Sequence, residues 1–252
     1  MNFTHAREHP EGGFTLYRGV PDTKNTYYGV KILKMFNKNP LNLEKTVAWI
    51  ENLQKDRMFG VYGVFYRLNI LKLLNGKIIV PDSYIKRIKD RRKFSSIKIA
   101  YYNLIISKIL GLNNLELIAE WILTKQNQDG GFGENKSDIE STYYALAALK
   151  NVDPSLITMK DSIAKFTRNC QVPDGGFAFT PQSYPPYIEP TYSGIGILEI
   201  IGKKIKEKDI VQEFVLKLQN NNGGFRRSKY MGISELEYTF KSLYILKKLD
   251  YW

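Results

Sequence analysis

The sequence predicts an all-α chain: about six helix pairs closed into a single α/α toroid spanning residues 1–252. Three observations support this. A Gly-Gly-Phe turn followed about a dozen residues later by Thr and an aromatic recurs at Gly12-Gly13-Phe14 with Thr26-Tyr27, and at Gly130-Gly131-Phe132 with Thr142-Tyr143. It returns at Gly175-Gly176-Phe177 with Thr191-Tyr192, and at Gly223-Gly224-Phe225 with Thr239-Phe240. Aliphatic pairs then follow each aromatic at a fixed offset, as in Ile32-Leu33, Ile70-Leu71, Ala148-Leu149, Ile197-Leu198 and Ile245-Leu246. Between these runs lie further segments with apolar residues at three- and four-residue spacing, as amphipathic helices have. Self-similarity at such a period means that one supersecondary unit is repeated.

Taken in order, the aromatic anchors are Tyr27, Phe65, Tyr101, Tyr143, Tyr192 and Phe240, and each opens an inner helix. The outer helices are expected at Leu43–Leu53, Ser83–Lys89, Leu115–Lys125, Ser155–Asn169 and Asp209–Leu218. The chain starts at a turn, so one outer helix is absent or truncated. Copies two and three have lost the Gly-Gly-Phe turn, and Phe59-Gly60 and Phe94 are the nearest remnants. Elsewhere Gln-x-x-Asp-Gly-Gly-Phe closes the outer helix, glycine supplying a left-handed or tight-turn conformation and Asp the turn hydrogen bond. There is little strand signal. Repeat physics alone does not choose between a closed ring and a linear solenoid; the ring is the expectation.

Composition narrows the class less than the repeat does. A chain of 252 residues with 43% hydrophobic content can bury a real core. The single cysteine, Cys170, allows no intrachain disulfide, and no stretch reads as a signal peptide, so a cytoplasmic protein is expected. The apolar run Leu104–Leu112 is broken by Ser107 and Lys108 and is too short for a bilayer. A net charge of +12 suits an anionic partner. The basic runs Lys86–Lys93, Lys203–Lys208 and Arg226-Arg227 match no nucleic-acid motif, so a nucleic-acid partner is not expected, whereas peripheral membrane contact is compatible with them. His5 and His9 have no companions at metal-ligand spacing and read as exposed loop residues.

The repeat serves as a ruler for the site. Three residues before each anchor, at the mouth of the inner helix, stand Lys24, Tyr62, Lys98, Glu140, Glu189 and Glu237. One turn deeper come Tyr28, Tyr66, Tyr102, Tyr144, Ser193 and Lys241. The mouth is thus polarised, cations on one side and carboxylates on the other, above a wall of tyrosines. Aromatic faces stabilise a nearby cation by about 0.5–2 kcal/mol each; the same tyrosines would serve equally to pack helix on helix. For the anchor ring, helix packing is the favoured expectation. Clustered carboxylates cannot all ionise cheaply, so at least one pKa should rise. A raised carboxyl is a candidate general acid, and the set Glu140, Glu189 and Glu237 could hold Mg²⁺. The alternative is that they answer the helix macrodipole in the first turn.

The segments Gln126–Gly133 and Cys170–Phe177 resemble the repeats of protein prenyltransferase β-subunits and of squalene–hopene-type terpenoid cyclases. The resemblance covers essentially the whole chain and implies an α/α toroid holding an isoprenoid. Those prenyltransferases bind zinc through an Asp-x-Cys pair and a His; the matching positions here are Glu189, Thr191 and Glu237, so zinc is not expected. A diphosphate-contacting His corresponds to Glu140, and two basic residues fall near Ser183 and Pro186. Tyr192 is kept, and Lys98 takes the place of a basic cavity residue. The Asp-x-Asp-Asp-Thr acid motif of class II cyclases is similar to Asp138-Ile139-Glu140-Ser141-Thr142, with Glu140 in the acid's place.

Three functions follow as expectations. In the first, Glu140 protonates an isoprenoid with Asp138 in support. Glu189 and Glu237 then tune that acid or bind Mg²⁺, and Lys24 and Lys98 hold a diphosphate over a pocket of Tyr28, Tyr62, Tyr66, Tyr102, Tyr144 and Tyr192. The second is a zinc-independent prenyl transfer, alone, as a homo-oligomer or with a second helical subunit. The third is a non-catalytic toroid that binds a lipid or a protein. A narrow or plugged axis would argue against both enzymes.

Overall fold

The computed structural model describes residues 2–56, 60–230 and 232–252. Twelve α-helices are found among them: α1 Asn2–His5, α2 Thr23–Met35, α3 Leu43–Asp56, α4 Val61–Leu74, α5 Asp82–Lys89 and α6 Ile97–Ile109, then α7 Leu115–Leu123, α8 Ile139–Val152, α9 Lys160–Asn169, α10 Ile188–Ile200, α11 Lys208–Leu216 and α12 Leu236–Lys248. Every second helix from α2 to α12 carries an anchor, and these six pack each against the next, with α12 returning to α2. The inner wall is therefore a closed ring. The expected outer helices are present as α3, α5, α7, α9 and α11. One differs from expectation: Ser155–Asn169 is split into a 3₁₀ turn, Pro154–Leu156, and α9, because Met159 takes a left-handed φ of 52° between them.

Each retained Gly-Gly-Phe turn is locked to the helix that follows it. The phenylalanine N–H donates to the threonine hydroxyl at that helix's start, from Phe14 to Thr26 at 2.9 Å, Phe132 to Thr142 at 2.9 Å, Phe177 to Thr191 at 3.0 Å and Phe225 to Thr239 at 3.0 Å. All four phenylalanines are buried between the helix layers. The first glycine holds a positive φ in every copy, as a tight turn demands. Its neighbour touches an outer-helix aromatic: a side chain on Gly176 would meet Phe214 of α11, and one on Gly224 would meet Phe3. Phe3 belongs to α1, which packs on α2. The four-residue α1 thus stands in the place of the sixth outer helix. Phe94, the remnant in copy three, is buried against Trp121, whereas Phe59 lies outside the described residues. Cys170 is buried, as expected of a small apolar filler. His5 departs from the loop assignment: it sits in α1 and bonds Glu8 at 2.7 Å, while His9 accepts from the Glu11 N–H. No described helix is long and apolar enough to cross a membrane.

Candidate functional site

The six mouth residues stand in the first turns of the inner helices or just inside them, as the ruler placed them. Their partnerships differ sharply. Glu237 accepts from Lys24 at 2.5 Å, from Lys241 at 2.8 Å and from the Tyr28 hydroxyl at 3.2 Å. Burial would raise its pKa, but the two ammonium groups outweigh burial and pull it to about 2. Lys24 responds in kind: burial opposes its charge and Glu237 more than restores it, so its pKa is raised. Glu189 is bound to the Arg227 guanidinium at 2.7 Å, which lies 4.4 Å from the Tyr187 ring centroid, and its second oxygen is buried without a partner.

Glu140 stands apart. Among the described residues it makes no ion pair or side-chain hydrogen bond, and its pKa is raised, chiefly by burial, with Glu189 and Asp138 adding to the rise and Lys241 and Lys98 opposing it. Lys98 is the matching uncommitted cation: among the described residues it has no carboxylate in an ion pair with it, and it lies over the rings of Tyr144 at 5.3 Å and Tyr62 at 6.0 Å. Burial lowers its pKa. Asp138 caps α8, accepting from the Ser141 N–H at 2.8 Å, and reaches Glu140 through its charge alone. Thr191, at the position matched to a zinc-binding cysteine, serves the turn lock and donates to the Tyr187 carbonyl at 2.6 Å. No three His, Cys, Asp or Glu side chains come together at metal-binding spacing among the described residues, and two of the three glutamates proposed for Mg²⁺ are taken up by Lys and Arg.

Below the mouth the tyrosines form a belt. Tyr28, Tyr66, Tyr102 and Tyr144 follow one another at ring separations of 6.3, 6.2 and 6.1 Å. Tyr102 packs against both Tyr66 and Tyr144, and burial raises the pKa of all four belt tyrosines, so the belt stays protonated. Tyr62 contributes less than expected: it is exposed and only its ring edge meets Tyr102, at 5.2 Å. The anchors do more than pack helices. Tyr27, Phe65, Tyr101, Tyr143, Tyr192 and Phe240 line an axial cavity together with Tyr28, Tyr102 and Tyr144, and Tyr143 and Tyr192 join hydroxyls at 3.0 Å across it. Its volume is about 90 Å³. Two lysines complete the lining, Lys241 and Lys31. Lys31 and Arg227 were missed from sequence. Lys31 is four residues past an anchor, a position at which the other inner helices carry Asn69, Ile105, Ala147, Gly196 and Tyr244, so it broke the repeat in plain view. Arg227 was read as part of a surface run.

This architecture places the chain in a family. It matches the prenyltransferase alpha-alpha toroid domain over residues 1–153 and 136–252, and it belongs to that family. Its fold is similar to that of Candida albicans protein geranylgeranyltransferase-I complexed with GGPP, with a TM-score of 0.70 at 14% identity over 91% of this chain and 84% of that one. A glycosidase variant in complex with glucose aligns with a TM-score of 0.65 at 11% identity, covering 98% of this chain and 95% of the other. A type II terpene cyclase from Scytonema, bound to its product merosterolic acid A, aligns with a TM-score of 0.58 at 14% identity over 98% and 93% of the two chains. No curated protein sequence matches the chain.

Proposed function

We propose that this protein is a recognition toroid that reads the anionic head group of an isoprenoid-type lipid at its mouth and does not enclose the chain. The observation that carries this reading is volume. Small-molecule sites commonly measure about 300–1,000 Å³, and the axial cavity here is about 90 Å³, filled from every side by anchor and belt rings. A farnesyl or longer chain has no room along this axis. What the mouth offers is Lys98, without an ion-paired carboxylate among the described residues, beside the Lys24–Glu237–Lys241 cluster and above a belt of tyrosine hydroxyls. The prenyl diphosphate named for the Candida structure is the first ligand to try. Mg²⁺, where it takes part, would arrive with the diphosphate, since it prefers substrate phosphates and water to an all-protein cage. Calorimetry with pyrophosphate and with geranyl, farnesyl and geranylgeranyl diphosphate tests the reading. Pyrophosphate should compete, affinity should change little with chain length, and Lys98→Gln should weaken all four about tenfold, roughly 1.4 kcal/mol. Affinity that climbs steeply with chain length would show that the chain is buried and would overturn it.

A second reading rests on Glu140. It is the mouth carboxylate that no cation engages and whose pKa burial raises, the state a protonating acid needs. Under that reading a prenyl diphosphate, with or without Mg²⁺, gives a cyclic product that disappears in Glu140→Gln. Released pyrophosphate together with a prenylated acceptor would instead indicate transfer. If no product of either kind forms, binding alone remains.

A further inference from the structure

The axial cavity contains chemistry that head-group recognition does not use. Lys31 lines it from α2, one turn deeper than Tyr27 and about two turns, roughly 10 Å, below the mouth residue Lys24. Its ammonium lies 4.1 Å from the Phe240 ring centroid and 5.2 Å from that of Tyr27. It forms no ion pair and no hydrogen bond among the described residues. The acids of the neighbouring helices are engaged elsewhere: Glu237 by Lys24 and Lys241, and Glu199 by Lys248 and Tyr244. Tyr27 and Tyr101, which line the same space, also have hydroxyls without side-chain partners among the described residues, and burial raises the pKa of both. Three polar groups therefore converge unpartnered on one small aromatic chamber, the arrangement of a binding site.

We propose that this chamber is a covalent binding site for a two- or three-carbon aldehyde or ketone, with the Lys31 amine as nucleophile. Size sets the ligand class, because a cavity that admits benzene measures about 150 Å³ and this one is about 90 Å³. The Lys31 nitrogen lone pair forms a bond to the carbonyl carbon, and the C=O π electrons move to oxygen, which takes a proton from a phenol such as Tyr27. The nitrogen gives up two protons, one restoring the phenol and one joining the hydroxyl as the C–O bond breaks and water leaves; a C=N bond remains, so that amine and carbonyl are converted to imine and water without any oxidant or reductant. Desolvation makes the amine available: burial brings the Lys31 pKa down to about 8. At pH 7 about a tenth of such a group is unprotonated, against well under a thousandth of an ordinary lysine. Lysines desolvated in apolar pockets are activated in this way. The inference does not rest on Lys98, the residue the head-group test removes, although Lys241 and three belt tyrosines line the chamber as well as the mouth.

Reductive trapping on the unaltered chain tests it. Limiting propanal with cyanoborohydride at pH 7, followed by peptide mass mapping, should propylate Lys31 at least tenfold faster than the exposed Lys86 and Lys89. 9-Anthraldehyde, too large for the chamber, should label Lys86 and Lys89 and leave Lys31 unlabelled. Labelling of Lys31 by propanal at or below the rate of the exposed lysines overturns the proposal. Equal labelling of Lys31 by the bulky aldehyde overturns it too, because the amine would then lie open and not in a closed site. Propanal capture should persist in Lys98→Gln, which separates failure here from failure of the mouth reading.

Discussion

At the residue scale, the threonine hydroxyl of each repeat that keeps the Gly-Gly-Phe turn is a structural group, and its removal has a defined cost. Thr191→Val leaves the buried Phe177 N–H without an acceptor, and an unsatisfied buried donor costs about 1–3 kcal/mol. Urea melts should show that loss, with Thr191→Ser recovering most of it. The two mouth carboxylates have opposite linkage. Glu237 has a folded pKa of about 2, below the ordinary 4.5, so its contribution is full above about pH 4.5 and drains as pH falls toward 2. Glu237→Gln leaves Lys241 buried without its ion-pair partner; it should cost about 3 kcal/mol at neutral pH and flatten the acid limb of a stability–pH profile. Glu140 has a raised folded pKa, so its ionisation takes stability away as pH climbs through that value. Glu140→Gln should therefore be neutral or stabilising at pH 7, measured by the same melts. The positions of these residues could be read from sequence because an inner-ring offset is a matter of register. Which carboxylate would be quenched could not, since Glu189 is answered by Arg227, 38 residues away in the chain on another turn. Pairing of that kind is a property of the closed structure alone.

At the element scale, six inner helices and five outer ones were legible because amphipathic period and turn chemistry agree in four repeats and period alone carries the other two. The split of Ser155–Asn169 was not, since a left-handed Met159 leaves no compositional mark. Nor was the role of α1, too short for periodicity to register. Its value can be measured. Phe3 is buried and touches the Gly224 turn where Phe214 and Phe166 touch theirs, so Phe3→Ala should cost about 3 kcal/mol as a large-to-small core change. The thermal midpoint would report it. Gly196 offers a second probe. A Cβ there would come within 2.6 Å of the Tyr143 ring, so Gly196→Ala should displace Tyr143, break its hydroxyl bond to Tyr192 and destabilise by about 1–3 kcal/mol. A larger axial cavity in the variant's crystal structure would confirm that this ring is what fills the axis.

At the scale of the whole molecule, the repeat foretold the ring but not its filling. Anchor aromatics read from sequence first as helix packing, and the structure uses them both for that and for lining the cavity. The difference between an isoprenoid tunnel and a chamber of about 90 Å³ lies in side-chain directions that a residue pattern does not carry. The return of α12 to α2 has a further, kinetic consequence. Most inner-helix contacts join neighbours along the chain, whereas the bond from Tyr28 to Glu237 spans 209 residues. Closing so long a loop is entropically the slowest contact to make. The helix pairs should therefore assemble first as an open arc, with the seam zipping shut after the rate-limiting barrier. Tyr28→Phe, Lys24→Met and Glu237→Gln should then accelerate unfolding while leaving the refolding rate nearly unchanged, whereas Thr191→Val should slow refolding.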